Sequence, residues 1–320
     1  MNSILFRSNI LEGTKDSKHT EPPEQIQRLI DWNAELLLKL LEQIVTKRQT
    51  AGKAGWDDEP ELEAKETIFD EVVEVINLPG FDGYTGKKSI DVAPQVVQQL
   101  KEFVAAIGSA YRSNAFHCLQ HASHVTMAVT KLISRIEVSD FDAANQEADD
   151  EPEVTELIAT HLHKHTFGIT SDPLTQFAVV LSALIHAVDH RGISNEDLAK
   201  EEPGVVAQYK GKSITEQRSL DKAWKKLMEP QFENLRRCIY ADKAEKQRFR
   251  QVVVNSVLAT DIYDEELQAL RMSRWKKTFG SNSVDSSEES MNRKATIVIE
   301  CLMQSSDVFH TMQVSLLHIL

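Results

Sequence analysis

The stretch "DPLTQFAVVLSALIHAVDHRG", Asp172 to Gly192, constrains the fold more than any other part of the chain. Asp172 stands where a helix N-cap accepts backbone N–H groups, and Pro173 suits the first turn. Phe177, Val180, Leu181 and Leu184 then recur at helical spacing. The run ends in His186, Asp189 and His190, so an apolar helix delivers polar groups at its C-terminal end. It falls short of the roughly 18–20 apolar residues a spanning helix needs, and it contains a histidine. Its apolar face therefore needs other helices to cover it.

Such helices are legible elsewhere. Between Gln25 and Arg48, Leu29, Ile30, Leu36, Leu37, Leu40, Leu41 and Ile44 repeat with helical period. "AKETIFDEVVEVINLPGFDG" reads as a helix ended by Pro79 and Gly80. Further helices are expected near 92–108, 114–136, 173–188, 215–228, 230–240, 244–259 and 294–313. Only 12 glycines and 9 prolines punctuate 320 residues, no strand alternation stands out, and no internal repeat is found. The expected architecture is all-α. Residues 1–66 are expected to be a flexible lead-in and amphipathic helix, with 67–320 the main domain. The acidic stretch 141–156 and the serine-rich stretch 280–292 read as solvated, mobile loops.

A net charge of −13 argues against nucleic acid as the main partner and weakly against an anionic membrane surface. No secretory leader or membrane insertion is expected, and the location is expected to be cytoplasmic. Cys118, Cys238 and Cys301 are scattered singly and read as reduced thiols without chemistry.

The chemistry is in "NAFHCLQHASHV". His117 and His121 are four residues apart, so a helix starting near Asn114 puts them on one face, where two imidazoles can converge on a metal. A second helix ends at His186. A third, "ATIVIECLMQSSDVFHTMQ", sets Asp307 among Ile297, Ile299, Leu302, Met303, Val308 and Phe309. An ionised carboxylate in such surroundings needs a partner, and a metal ion is a natural one. His121, His186 and Asp307 thus form a ligand set suited to Zn²⁺, Mg²⁺ or Mn²⁺, with His117 placed as general acid. The run "HLHKH", His161 to His165, alternates beside the acidic loop and reads as solvated. His124 and His310 read as surface or satisfied histidines. Arg271, Arg274, Lys276 and Lys277 read as a solvated helix end.

In order, "YRSNAFHCLQHASHV", "ALIHAVDHRGISN", "SVLATD" and "SSDVFHTMQ" resemble the class I 3′,5′-cyclic nucleotide phosphodiesterase catalytic domain over roughly residues 67–320. The wording is similar to algal domains, including those fused behind nucleotide cyclases. The resemblance implies hydrolysis of cAMP or cGMP to 5′-nucleotides by in-line attack of a water activated between two metal ions, usually zinc and magnesium. It gives His117 the role of general acid and makes His121, His186 and Asp307 ligands of the tighter metal. Asp189 and His190 match residues just behind those ligands, and Glu216 and Thr260 match groups holding waters of the second metal.

The sequence departs from that family's pattern at Ala187, where the family has the aspartate that bridges the two ions. Cys118 replaces an asparagine and Arg191 a proline. The family's base-binding segment follows its last motif, and 13 residues follow Asp307 here (320 − 307), so that segment is expected to be missing. With it gone, Met312, Val314, Leu316, Leu317 and Ile319 are expected to leave an apolar surface prone to self-association. Two other readings stay open: a non-catalytic relative that keeps the fold, and a different phosphohydrolase of the H…HD…D kind.

Overall fold

The structure, a computed structural model, describes residues 24–53, 55–83, 90–114, 116–138, 152–280 and 287–317. Among these, the elements are helices with no β-strand, as the all-α reading requires. In chain order they are α1 (Glu24–Thr50), α2 (Pro94–Ser109), α3 (Leu119–Val138), α4 (Pro152–His165), α5 (Pro173–Ile185), α6 (Asn195–Glu201) and α7 (Pro203–Tyr209). Then come α8 (Ile214–Leu227), α9 (Glu233–Ile239), α10 (Lys243–Leu258), α11 (Glu265–Phe279) and α12 (Glu288–Leu317). No helix among the described residues is long and apolar enough to cross a membrane.

Helix α5 is the centre of the core. Asp172 caps it by accepting from the Thr175 N–H and hydroxyl, and every residue from Leu174 to Ile185 is buried. Helices α1, α3 and α10 pack around it, with α8 and α12 also touching. Ile30, Ala34, Leu37, Leu41 and Ile44 of α1 belong to the same apolar cluster as Phe177 and Leu184 of α5, so the N-terminal helix is part of this core.

The segment after the first linker is not the helix its spacing suggested. Apart from one 3₁₀ turn at Phe69–Glu71, residues 72–80 form a strap. Val72, Val73, Val75 and Ile76 are β-branched, which weakens helical preference. Side chains from distant helices take up the strap's backbone groups instead. The Val73, Ile76 and Leu78 N–H groups donate to Asn255, Thr296 and Asn292. Asn255 Nδ2 donates to the Val73 carbonyl, and Arg274 donates to the carbonyls of Val73 and Glu74. Each buried backbone group thereby gains the partner it would otherwise have had in a helix.

That use of Arg274 corrects the reading of the basic cluster as solvated. Arg274 is fully buried and paired with Glu300, and Lys277 pairs with Glu74. Two loop expectations are also trimmed, since 152–156 are in α4 and 288–292 in α12. The run "HLHKH" is helical as well. His163 is buried, with Nδ1 2.6 Å from the Ser171 hydroxyl and its ring against Phe81. Residues 141–151 and 281–286 of the two loops, the lead-in at 1–23, and the side chains of His310 and Met312 to Ile319 lie outside what is described.

Candidate metal centre

Three helices deliver one cluster. His121 lies in the first turn of α3, His186 directly follows α5, and Asp307 is on α12. One potential ligand atom from each lies within 4.8 Å of the others. His121 Nε2 is 2.8 Å and His186 Nε2 3.5 Å from Asp307 Oδ1. Both imidazoles are buried, while the Asp307 side chain keeps 21% exposure. Val308 and Phe309 point to solvent, against the expectation that they help bury Asp307.

The donor set fits a metal ion. His186 Nδ1 lies 2.8 Å from the Ala183 carbonyl and gives it its hydrogen, so Nε2 is the atom that faces Asp307 and would ligate a metal on giving up its own proton. Two nitrogens and one oxygen suit zinc and similar ions, whose bonds of about 2.0–2.1 Å separate tetrahedral ligand atoms by roughly 3.3 Å. The spacings here bracket that value. Burial alone would push the Asp307 carboxyl up, yet hydrogen bonds from His121 and His186 hold it well below the usual carboxylate range. Burial pushes His186 down, but the Asp307 hydrogen bond and charge more than reverse this.

His117 does not share a helix face with His121, because α3 begins only at Leu119. It sits in the preceding turn, where its ring stacks on His190 at 3.6 Å between centroids. Burial pushes His117 down to about 4 and His190 to about 3, and neighbouring histidines add to both effects. Among the described residues no hydrogen-bond partner reaches His117 Nδ1.

The other residues singled out by sequence lie around this centre. Asp189, at φ 60°, turns into a cationic cluster of Arg112, Arg218 and Lys222. Burial would raise its carboxyl, but hydrogen bonds from Arg112 and Lys222 and the Arg218 charge hold it down at about 2. A carboxylate lowered on folding stabilises the native state above its unfolded pKa of about 3.9, and that stabilisation disappears as pH falls toward 2. Between pH 4 and 2, Asp189→Asn is therefore expected to lose melting temperature less steeply than the parent. Equal slopes would remove Asp189 from the acid response.

Glu216 and Asp261 are joined by Asn195, whose amide donates to both carboxylates at 3.0 and 3.3 Å. Burial and the Asp261 charge push Glu216 up to about 7. Thr260 donates its hydroxyl to the Val257 carbonyl. Asn195 and Asp261 were not singled out from sequence, although both stand in quoted segments, "HRGISN" and "SVLATD". Ala187 is buried between His186 and Val188, and its methyl group cannot ligate a second ion. The donor set thus fits one ion and not the bridged pair.

Residues 116–318 match the 3'5'-cyclic nucleotide phosphodiesterase family. The mouse (Mus musculus) dual specificity calcium/calmodulin-dependent 3',5'-cyclic nucleotide phosphodiesterase 1C is 25% identical over 179 residues, which are 55% of this chain and 21% of that protein. A probable 3',5'-cyclic phosphodiesterase, pde-3 of Caenorhabditis elegans, is 32% identical over 111 residues, 33% of this chain and 16% of that one. The chain thus spans about a fifth of the length of the curated relatives it matches. The phosphodiesterase domain of a RhoPDE fusion protein from the choanoflagellate Salpingoeca rosetta superposes with a TM-score of 0.47 at 18% identity, over 67% of this chain and 58% of that one. The family match covers well over half of the chain and contains every residue of the His121–His186–Asp307 cluster, so the chain belongs to the 3'5'-cyclic nucleotide phosphodiesterase family.

Proposed function

We propose that the chain carries the metal-holding core of a cytoplasmic signalling hydrolase that opens the phosphodiester ring of cAMP or cGMP to give a 5′-nucleotide. The observation that carries this reading is the convergence of two buried imidazoles and one carboxylate from three separate helices. His121, His186 and Asp307 would hold zinc, and the ion would supply Lewis acidity toward a phosphoryl oxygen and a more acidic water. The residues themselves keep the site dry and oriented: Ala183 fixes the His186 ring, and the α5 core excludes solvent behind it. His117, stacked on His190, is the group that would pass a proton to the leaving 3′ oxygen from its imidazolium form. Burial holds it neutral at pH 7 in the free protein, so it would have to take up that proton with the anionic substrate in place. Glu216 and Thr260 stand for the water-holding groups of a magnesium or manganese ion.

A second reading, a non-catalytic phosphodiesterase-like chain that keeps one ion, is favoured by Ala187. Metal analysis of the purified chain beside a hydrolysis assay with both nucleotides decides between them. The parent is expected to retain about one zinc per chain. Asp307→Ala is expected to lose it by well over 100-fold in affinity, since even losing a group that only supports a ligand costs about 10–100-fold. Equal zinc content in the two proteins would remove Asp307 from the site.

Self-association is also proposed. Val308 and Phe309 on α12, with Trp275 and Phe279 on α11, are exposed, and the last two stack at 4.5 Å. Exposed apolar residues gathered on adjoining helices favour a partner surface. Sedimentation velocity is expected to show mass rising with concentration. A sharp monomer at every concentration would count against it.

A further inference from the structure

Nothing helical holds His117, because α3 starts two residues after it, and His190 likewise lies beyond the end of α5. Two loops must therefore be held in register for their rings to stack at 3.6 Å with a 28° tilt. One side chain spans both. Asn114 Nδ2 donates to the His117 carbonyl at 2.9 Å and to the His190 carbonyl at 3.0 Å, while its Oδ1 accepts from the Phe116 N–H at 3.1 Å. The carboxamide uses both of its hydrogens and its oxygen, one bond to each of three backbone groups.

The neighbouring loop is shaped to receive it. Gly192 has φ +79°, and a Cβ added there would lie 3.5 Å from Asn114 Cβ. Its N–H donates to His190 Nδ1 at 2.8 Å, which fixes that ring and leaves the neutral imidazole's hydrogen on Nε2. Arg112 to Asp189 ties the same two loops, but that carboxylate is shared with Arg218 and Lys222 and sets no ring position.

We propose that Asn114 is a positioning residue: by bonding the carbonyls of His117 and His190 together it sets the stack, and through the stack the direction in which His117 meets a leaving oxygen. The role in turnover rests on the phosphodiesterase reading above; the role in holding the stack does not. The chemistry is specific to asparagine. Aspartate keeps the acceptor for Phe116 but has no hydrogens for the two carbonyls. Alanine keeps neither.

The test uses the full chain with ¹³C-labelled histidine, as Asn114→Asp and Asn114→Ala, with His190→Ala to assign the ring-current effect on His117. In the parent, an NOE is expected between the His117 and His190 rings, with ring protons shifted upfield. Both Asn114 variants are expected to lose the NOE and the upfield shift. Their helical circular dichroism and the response of His121 and His186 to added zinc are expected to stay unchanged. In a hydrolysis assay kcat is expected to fall about 100-fold with KM little changed, the scale of an ångström-sized misplacement. Persistence of the inter-ring NOE in both variants overturns the proposal. Loss of helix content together with the NOE also overturns it, because Asn114 then supports the fold at large. The ring measurement needs no turnover, so an inactive parent counts against the phosphodiesterase reading and leaves the stack to be judged by the NOE.

Discussion

Ala187→Asp is expected to raise the divalent-metal content of the purified chain from about one ion to two. Position 187 directly follows a ligand, is buried, and holds a methyl group where the family has its bridging carboxylate. Glu216 and Asp261 are already gathered nearby, joined through Asn195. An aspartate placed there without metal is a buried charge, costly unless paired. The variant is therefore expected to melt below the parent in chelator and to gain more from added magnesium or manganese. A state that binds metal only when folded gains about 2.7 kcal/mol at a free concentration 100 times Kd. Unchanged metal content and melting in both conditions would mean that position 187 does not face the second ion. If metal rises while hydrolysis does not, the shortfall lies in holding the nucleotide in line, which can be worth about 7–11 kcal/mol of a barrier.

The largest loss of stability is expected from Arg274→Met. Arg274 is fully buried and serves Glu300 as well as the carbonyls of Val73 and Glu74. Removing it strands Glu300, whose carboxyl burial pushes up and which would keep only the Asn255 hydrogen bond. Breaking one partner of a buried pair typically costs about 3–5 kcal/mol. The double variant Arg274→Met with Glu300→Leu removes the stranded charge and is expected to recover part of that loss. It should not recover all of it, because the Glu74 carbonyl still lacks its donor, at roughly 1–3 kcal/mol for a buried orphan, while the Val73 carbonyl keeps Asn255 Nδ2. Urea unfolding of the parent, single and double variants measures this. A single variant within 1 kcal/mol of the parent would mean the pair is not buried in solution.

The His121–His186–Asp307 cluster was legible in the sequence because its members stand in short local patterns: an imidazole near the start of one helix, one at the end of an apolar helix, and a carboxylate set into a third. Helix α5 was legible for the same reason, since its cap, its proline and its apolar run are all local. The strap was not. "DEVVEVINL" carries spacing that serves a helix as well as an extended run, and only the amides of Asn255 and Asn292 and the hydroxyl of Thr296 decide between them. The burial of Arg274 escaped for the same reason, because a basic residue near a helix end looks solvated until the carbonyls it must serve are known. His117 was misplaced onto a helix because the turn that excludes it is made by one side chain, Asn114, whose partners include a residue 76 positions away.

The strap has a consequence for biosynthesis. Its N–H groups at Ile76 and Leu78 wait for acceptors 220 and 214 residues further along the chain, and His121 waits 186 residues for Asp307. At a synthesis rate of about 5–20 residues per second, that delay is roughly 10–40 s. During this interval α1 and α5 can already pair, while the strap and the metal ligands stay exposed to other partners. Helix α12 carries Asn292, Thr296, Glu300 and Asp307, so one segment made long after the strap both fastens it and completes the His121–His186–Asp307 cluster.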